Sequence, residues 1–167
     1  MRFWATQSRD PAPYYQHSEL GYNYRMSNIV AGIGRGQLLH LDEHIAAKKN
    51  IYQKYKAGFY DLPLTLNPYL EKSNPNFWLS CVTINEGTDI TPQRIIKAID
   101  DVNAEARPIW KPMHMQPIFE KYDLVSFEHE SVAKEIFTRG LCLPSDIKMT
   151  DDDLNRIITA VRAALNV

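Results

Sequence analysis

Two short stretches hold most of the side chains that could do chemistry. The first is Gly21-Tyr-Asn-Tyr-Arg-Met-Ser-Asn28. It places an amide (Asn23), a guanidinium (Arg25) and two phenols (Tyr22 and Tyr24) just ahead of a helical pattern. Such a donor set suits an anion or a phosphate group; a capped, solvated turn accounts for the same residues. The second stretch is Arg107-Pro-Ile-Trp-Lys-Pro-Met-His-Met-Gln116. Two prolines stiffen it. Trp110 offers a flat apolar face, Lys111 a charge, and His114 and Gln116 adaptable hydrogen bonding. That mixture suits a sugar or a nucleotide. An amphipathic edge strand with Met113 and Met115 buried is the alternative.

Other signals point away from several function classes. His40 and His44 are four apart on a helical pattern, with no third ligand nearby, and read as a surface pair. Gly32-Ile-Gly-Arg-Gly36 lies inside that helical pattern, not between a strand and a helix, so it is no phosphate-binding glycine loop. There is no Gly-x-Ser-x-Gly nucleophile elbow. Asp151, Asp152 and Asp153 read as a helix start rather than a cation site. Cys81 and Cys142 each sit in an apolar segment and are expected to be buried thiols, neither a metal site nor a disulfide framework.

The elements that must position these groups can be read from periodicity. Residues 1–27 read as loop, with at most a short helical end near Met1 to Ser8. A helix is expected over 28–60, with Ile29, Val30, Ile33, Gln37, Leu38, Leu41 and Ile45 on one stripe and Ser27 or Asn28 as its cap. Gly32, Gly34 and Gly36 within it suggest close approach by another backbone. Residues 61–76, with Pro63, Pro68 and Pro75, read as a linker. The clearest strand is 77–85. Thr91 caps a helix with Pro92 at its first position and Ile95, Ile96, Ile99 and Val102 on its buried face. Residues 107–116 are too broken by proline for a helix. A third helix is expected over 128–139, with Val132, Ala133, Ile136 and Phe137 inward and Gly140 as its stop. A short strand follows at 141–143. Thr150 caps the last helix, whose buried face is Leu154, Ile157, Ile158, Val161 and Leu165.

Length and composition fit this order. A chain of 167 residues, 44% hydrophobic and 23% charged, is ordinary for a globular protein. The net charge of −1 supplies no field to draw nucleic acid or an anionic membrane. No apolar run approaches the roughly 20 residues needed to span a bilayer, and the N-terminus lacks a signal peptide's apolar core. A cytoplasmic location fits. The fold class is α/β, with α+β character in a small layered domain. The expected division is 1–60, loop and long helix, and 61–167, the small domain. The opening stretch is rich in loop and aromatic residues and has no strand before it, as if the chain began within a longer protein.

Taken together and in this order, the motifs resemble the DegT/DnrJ/EryC1/StrS family of pyridoxal-phosphate-dependent sugar aminotransferases. The residues that carry the resemblance are Arg9-Asp-Pro-Ala-Pro-Tyr-Tyr-Gln-His17, the Gly21 to Asn28 stretch, the Arg107 to Gln116 stretch and Gly140-Leu-Cys-Leu-Pro-Ser145. The Trp-Lys-Pro-Met-His segment looks most like the subgroup acting on UDP-linked 4-keto sugars on the route to bacillosamine-type sugars. The resemblance implies the C-terminal part of a fold-type-I enzyme that works as a homodimer, with no nucleic acid or membrane partner. Its cofactor would be pyridoxal 5'-phosphate, its amino donor glutamate and its acceptor a UDP-linked 4-keto-6-deoxy sugar.

The same resemblance implies that the lysine binding the cofactor covalently lies upstream of this segment, so that no catalytic residue is expected here and the segment alone is inactive. Asn23 would match an asparagine reaching the cofactor phosphate of the partner subunit. Arg25 would match an arginine of the same loop, and His114 the histidine of the C-terminal substrate pocket. Tyr22, Trp110, Lys111, Gln116 and His17 are placed near substrate by neighbourhood. Two alternatives remain. One is a non-catalytic fragment that binds nucleotide sugars or dimerises; the other is a related sugar dehydratase with histidine in place of the lysine.

Overall fold

The computed structural model describes residues 1–70, 72–125 and 131–165. The chain forms two compact units, Met1–Asp42 and Glu43–Val167.

The first unit holds a one-turn helix α1 (Arg2–Ala5), an irregular two-arm loop and helix α2 (Asn28–Leu38). The Ser27 hydroxyl accepts a hydrogen bond from the Val30 amide at 3.3 Å, as its position as a cap requires. The helix expected over 28–60 is broken. α2 stops at Leu38, and α3 (Leu41–Gly58) starts after Leu39 and His40. The Leu39 and His40 amides donate to Gly36 and Gln37 carbonyls at 3.3 and 3.1 Å, the tightened pattern of a helix end. Three glycines weaken the helix just before this point. None of them is pressed by a neighbour among the described residues, where a Cβ at Gly32, Gly34 or Gly36 would meet nothing within 4 Å.

The second unit is a layered α+β domain. Among the described residues, four short strands form one antiparallel sheet in the order β1-β2-β4-β3. They are β1 (Leu64–Leu66), β2 (Cys81–Ile84), β3 (Arg107–Pro108) and β4 (Gly140–Cys142), with α4 (Pro92–Asp100), α5 (Val132–Arg139) and α6 (Asp151–Ala164) between and after them. β1 lies inside the stretch expected to be a linker. As an edge strand it tolerates the flanking Pro63 and Pro68, and it buries Leu64 opposite Ile84. The strand expected over 77–85 is shorter, running over Cys81–Ile84, and Phe77 at its expected start takes a left-handed backbone (φ 51°).

One cluster joins the elements of this unit. Ile51 and Tyr55 of α3, with Phe59 just after it, meet Val82, Ile84 and Leu141 of the sheet, Ile95 and Ile99 of α4, and Leu154, Ile157 and Val161 of α6. The caps of α4 and α6 form as expected. Thr91 Oγ1 accepts from the Arg94 amide at 3.4 Å. Thr150 and Asp153 exchange backbone and side-chain bonds at 3.2 and 3.0 Å in a capping box. Arg162 ties α6 to the end of α3, donating to the Gly58 carbonyl at 2.9 Å and to both Asp61 oxygens.

The face assigned to α5 needs correction. Val132, Ala133 and Ile136, expected inward, are exposed, and only Phe137 is partly covered. The helix docks instead through its C-terminal end. A Cβ at Gly140 would meet the Ile136 carbonyl oxygen at 2.4 Å and Ile109 Cδ1 at 2.5 Å, so β4 starts too close under α5 for any larger residue. The start of the helix expected at 128 lies outside the described residues.

Candidate active-site elements

The loop of the first unit is a frame with two arms. The Gln7 amide donates to the Tyr22 carbonyl, Tyr22 to Trp4 and Tyr24 to Ala5, all within 2.9–3.0 Å. Thr6 pairs with Asn23 and Arg9 with His17 as isolated antiparallel bridges. His17 Nδ1 lies 2.7 Å from the Gln7 carbonyl oxygen. Asp10 accepts from Ser18 Oγ at 2.7 Å and Gln16 Nε2 at 3.1 Å. These bonds, the Ser18 hydroxyl first, hold its carboxyl below the ordinary carboxylate range. Arg9 sits over the Tyr15 ring, 4.1 Å from its centroid.

Gly21 is the tightest point of the frame. A Cβ there would stand 2.3 Å from Ser8 Oγ and 2.4 Å from Ser8 N. Gln7 and Ser8 both adopt positive φ, 66° and 50°, to make this approach. Past it, Tyr22 and Tyr24 stack at 5.4 Å with 15° between their planes. Extended backbone sends alternate side chains to opposite sides, so Asn23 lies away from the tyrosine pair. Asn23 and Arg25 are both exposed. An amide and a guanidinium thus project from a fixed backbone, two residues apart. His17, by contrast, is engaged with its own loop.

The second stretch lies wholly in the second unit. Arg107 and Pro108 pair with Cys142 and Leu141 as a two-residue edge strand, so the edge-strand reading holds only for these two. Met113–Met115 is a 3₁₀ turn, and Met113 is 64% exposed rather than buried. Gln116 Nε2 donates back to the Lys111 carbonyl at 3.3 Å and so braces the turn. His114 is half-buried. Its Nε2 lies 3.4 Å from Ser131 Oγ, and Ser131 caps α5. The two residues share a cavity of about 590 Å³ with Lys134 and Arg139. Trp110 lines two different cavities and lies 6.0 Å from Trp78, ring centroid to centroid, at 31°. The structure therefore splits the second stretch: His114 lines a cavity along α5 with Lys134, Glu135 and Arg139, and Trp110 lies beside a second tryptophan.

Lys134, Arg139, Ser131 and Trp78 did not stand out in the sequence. The first three sit on a helix that reads as an ordinary amphipathic element. Trp78 falls within the strand expected over 77–85 but lies ahead of the observed one and is 63% exposed.

Comparison with known proteins decides what this arrangement belongs to. The sequence profile of the DegT/DnrJ/EryC1/StrS aminotransferase family matches residues 2–162. The chain belongs to this family.

Among curated members, it is 42% identical over 159 residues to EpsN of Bacillus subtilis, whose name places it among pyridoxal phosphate-dependent aminotransferases. That match takes in 94% of this chain and 40% of EpsN. It is 32% identical over 172 residues to a GDP-perosamine synthase of Caulobacter vibrioides, covering 99% of this chain and 44% of that protein. The fold agrees with a solved member, Helicobacter pylori PseC, an aminotransferase of pseudoaminic acid biosynthesis. The TM-score is 0.84 at 14% identity, over 99% of this chain and 45% of PseC. The chain thus spans less than half the length of the family members it matches. Among the described residues no helix is long and apolar enough to cross a membrane.

Proposed function

We propose that this chain supplies the cofactor-phosphate loop and part of the sugar pocket of a pyridoxal-phosphate-dependent nucleotide-sugar aminotransferase. That enzyme moves an amino group from glutamate to a UDP-linked 4-keto-6-deoxy sugar. The observation that carries the reading is the loop at Gly21. Its backbone is fixed by close packing, while Asn23 and Arg25 are left exposed. The donor set fits the cofactor: a neutral amide and a guanidinium, both hydrogen-bond donors, match the acceptor oxygens and the charge of a phosphate ester. When bound, pyridoxal phosphate supplies the electron sink for proton loss at the carbon that carries nitrogen.

The chain's own residues bind and orient. Asn23 and Arg25 hold phosphate oxygens, with Tyr22 stiffening the loop through its stack on Tyr24, which lies between them, and His17 bracing its far arm. Trp110 packs on a ring of the nucleotide sugar, Lys111 answers the diphosphate charge, and His114 donates to a sugar hydroxyl. Gln116 holds the turn that presents them. Residues outside this segment provide the lysine that moves the proton, which leaves the segment inactive by itself.

Association with a second surface supports the same reading. Ile29, Val30, Ile33 and Leu38 on α2 are each more than half exposed, and the glycines among them leave room for a close backbone. A homodimer in which Asn23 reaches the partner's cofactor would cover that face.

A chimera tests the substrate. The upstream part of EpsN is joined to this chain at the matched boundary and supplied with glutamate and 4-keto-6-deoxy sugars carrying UDP or GDP. Turnover preferring UDP supports the proposal; equal use of both, or preference for GDP, removes the UDP assignment.

A further inference from the structure

We propose that Cys81 and Cys142 form a thiol-oxidation site: a cross-strand dithiol that a small-molecule disulfide converts to an intramolecular disulfide beside Trp110. This inference does not depend on the aminotransferase reading.

The register of the sheet makes the pair. Cys81 of β2 stands directly opposite Cys142 of β4. The Leu143 amide donates to the Ser80 carbonyl at 2.9 Å, so the cysteines occupy a non-hydrogen-bonded pair of the ladder. Opposed side chains come closest there, with Cα atoms about 4.5 Å apart. That separation lies within the range of about 4.4–6.8 Å that a disulfide bridges. Both thiols are free, and their sulfurs are 3.5 Å apart.

Strand alternation puts both on the face away from the core. Their neighbours Val82 and Leu141 pair with each other and point into the hydrophobic cluster. Two cavities open on this face. One, of about 290 Å³, is lined by Cys81 with Trp78 and Trp110. The other, of about 540 Å³, is lined by Cys142 with Trp110 and Arg107. Cys81 is the more exposed of the two, so it meets an oxidant first and Cys142 resolves.

The chemistry balances with one named oxidant, a low-molecular-weight disulfide such as oxidised glutathione. Cys81 loses its proton to solvent, and its thiolate attacks one sulfur of the oxidant. The oxidant's S–S bond breaks and one thiolate leaves. Cys142 loses its proton in turn and attacks Cys81 Sγ. The mixed S–S bond breaks, the second thiolate leaves, and both leaving groups take up protons from solvent. The chain is oxidised by two electrons and loses two hydrogen atoms; one small disulfide becomes two thiols. Burial, with the neighbouring Cys142 second, pushes the Cys81 thiol up to about 12. The thiolate is scarce at neutral pH, and oxidation is slow rather than instantaneous.

The test is to expose the reduced, native chain to oxidised glutathione, then denature it, alkylate free thiols and weigh it. The expected product carries no alkylatable thiol and no glutathione. It is lighter by two hydrogens, yields one peptide joining Cys81 to Cys142, and reverts fully with reductant. Cys142→Ser is expected to stop at a stable glutathione adduct on Cys81. A wild-type chain that keeps both thiols, retains stable glutathione adducts, or links only between chains overturns the proposal. The wild-type masses decide this even where the variant does not fold.

Discussion

Gly21 lies against Ser8 so closely that a β-carbon would stand 2.3 Å from the serine oxygen. Ser8 is fully buried, with a left-handed backbone. Neither partner can retreat, because the Gln7 and Ser8 amides are already bonded to the Tyr22 and Phe3 carbonyls. The contact sets the spacing between the two arms of the loop and so the position of Asn23. Gly21→Ala is expected to destabilise the first unit by about 1–3 kcal/mol, the usual cost of overpacking. Hydrogen exchange reads it directly, as faster exchange at the Gln7, Tyr22 and Tyr24 amides with the second unit unchanged. Unchanged exchange at those amides would show that the contact does not hold the arms.

The bond between Asp61 and Arg162 has a pH signature. Arg162 Nη1 and Nη2 reach the two carboxylate oxygens at 2.8 and 2.7 Å. Hydrogen bonds from Arg162 are the main cause of a lowered Asp61 pKa. A carboxylate whose folded pKa is depressed contributes stability above its unfolded value, about 3.9, and loses it as pH falls through the folded value. Asp61→Asn is therefore expected to lower the melting temperature at pH 7. The gap from wild type closes as pH drops below the unfolded value. Melting curves between pH 7 and pH 2 measure this; a constant gap would assign the loss to packing instead of charge.

Truncations of two aliphatic residues, one on β4 and one on α5, separate core from surface. Leu141 is fully buried between the sheet and the helices, whereas Val132 is 68% exposed. Leu141→Ala is expected to cost about 2–5 kcal/mol, and Val132→Ala to stay within about 0.5 kcal/mol of wild type. Urea titrations of both distinguish the outward orientation of α5 from the inward one that its sequence pattern implies.

His114 and Trp110 line different cavities, which gives the proposed sugar pocket a divided character. His114→Ala and Trp110→Ala are each expected to weaken nucleotide-sugar binding by the chimera. The double variant should add the two losses to within about 0.5 kcal/mol, as independent sites do. Calorimetry on the three variants measures the coupling. A large coupling would place both residues on one part of the ligand.

Much of this fold was legible because its signals are local. Thr91, Thr150 and Ser27 mark helix starts through a side chain and an amide three residues apart. The stripes of α4 and α6 each contain their own period. What escaped depends on contacts between distant parts of the chain. β1 is three residues between prolines, and only its pairing with β2 makes it a strand. The end of α5 packs Gly140 against Ile109, some thirty residues earlier, while Val132 and Ile136 stay exposed. The break at Leu39 and His40 follows three glycines that gain no compensating contact among the described residues. Cys81 and Cys142 read as two unrelated buried thiols until the β2–β4 register joins them. At the candidate site, residue types suggested binding, whereas the grouping of His114 with Lys134 and Arg139, and of Trp110 with Trp78, follows from packing alone.

The most direct measurement is the dissociation constant of pyridoxal phosphate from the EpsN chimera, compared with its Asn23→Ala and Arg25→Ala variants. Loss of a charge-assisted phosphate contact is worth about 1.5–3 kcal/mol, so each variant is expected to bind cofactor about tenfold or more weakly while remaining folded. Equal cofactor affinity in all three proteins would contradict the assignment of this loop to the cofactor phosphate.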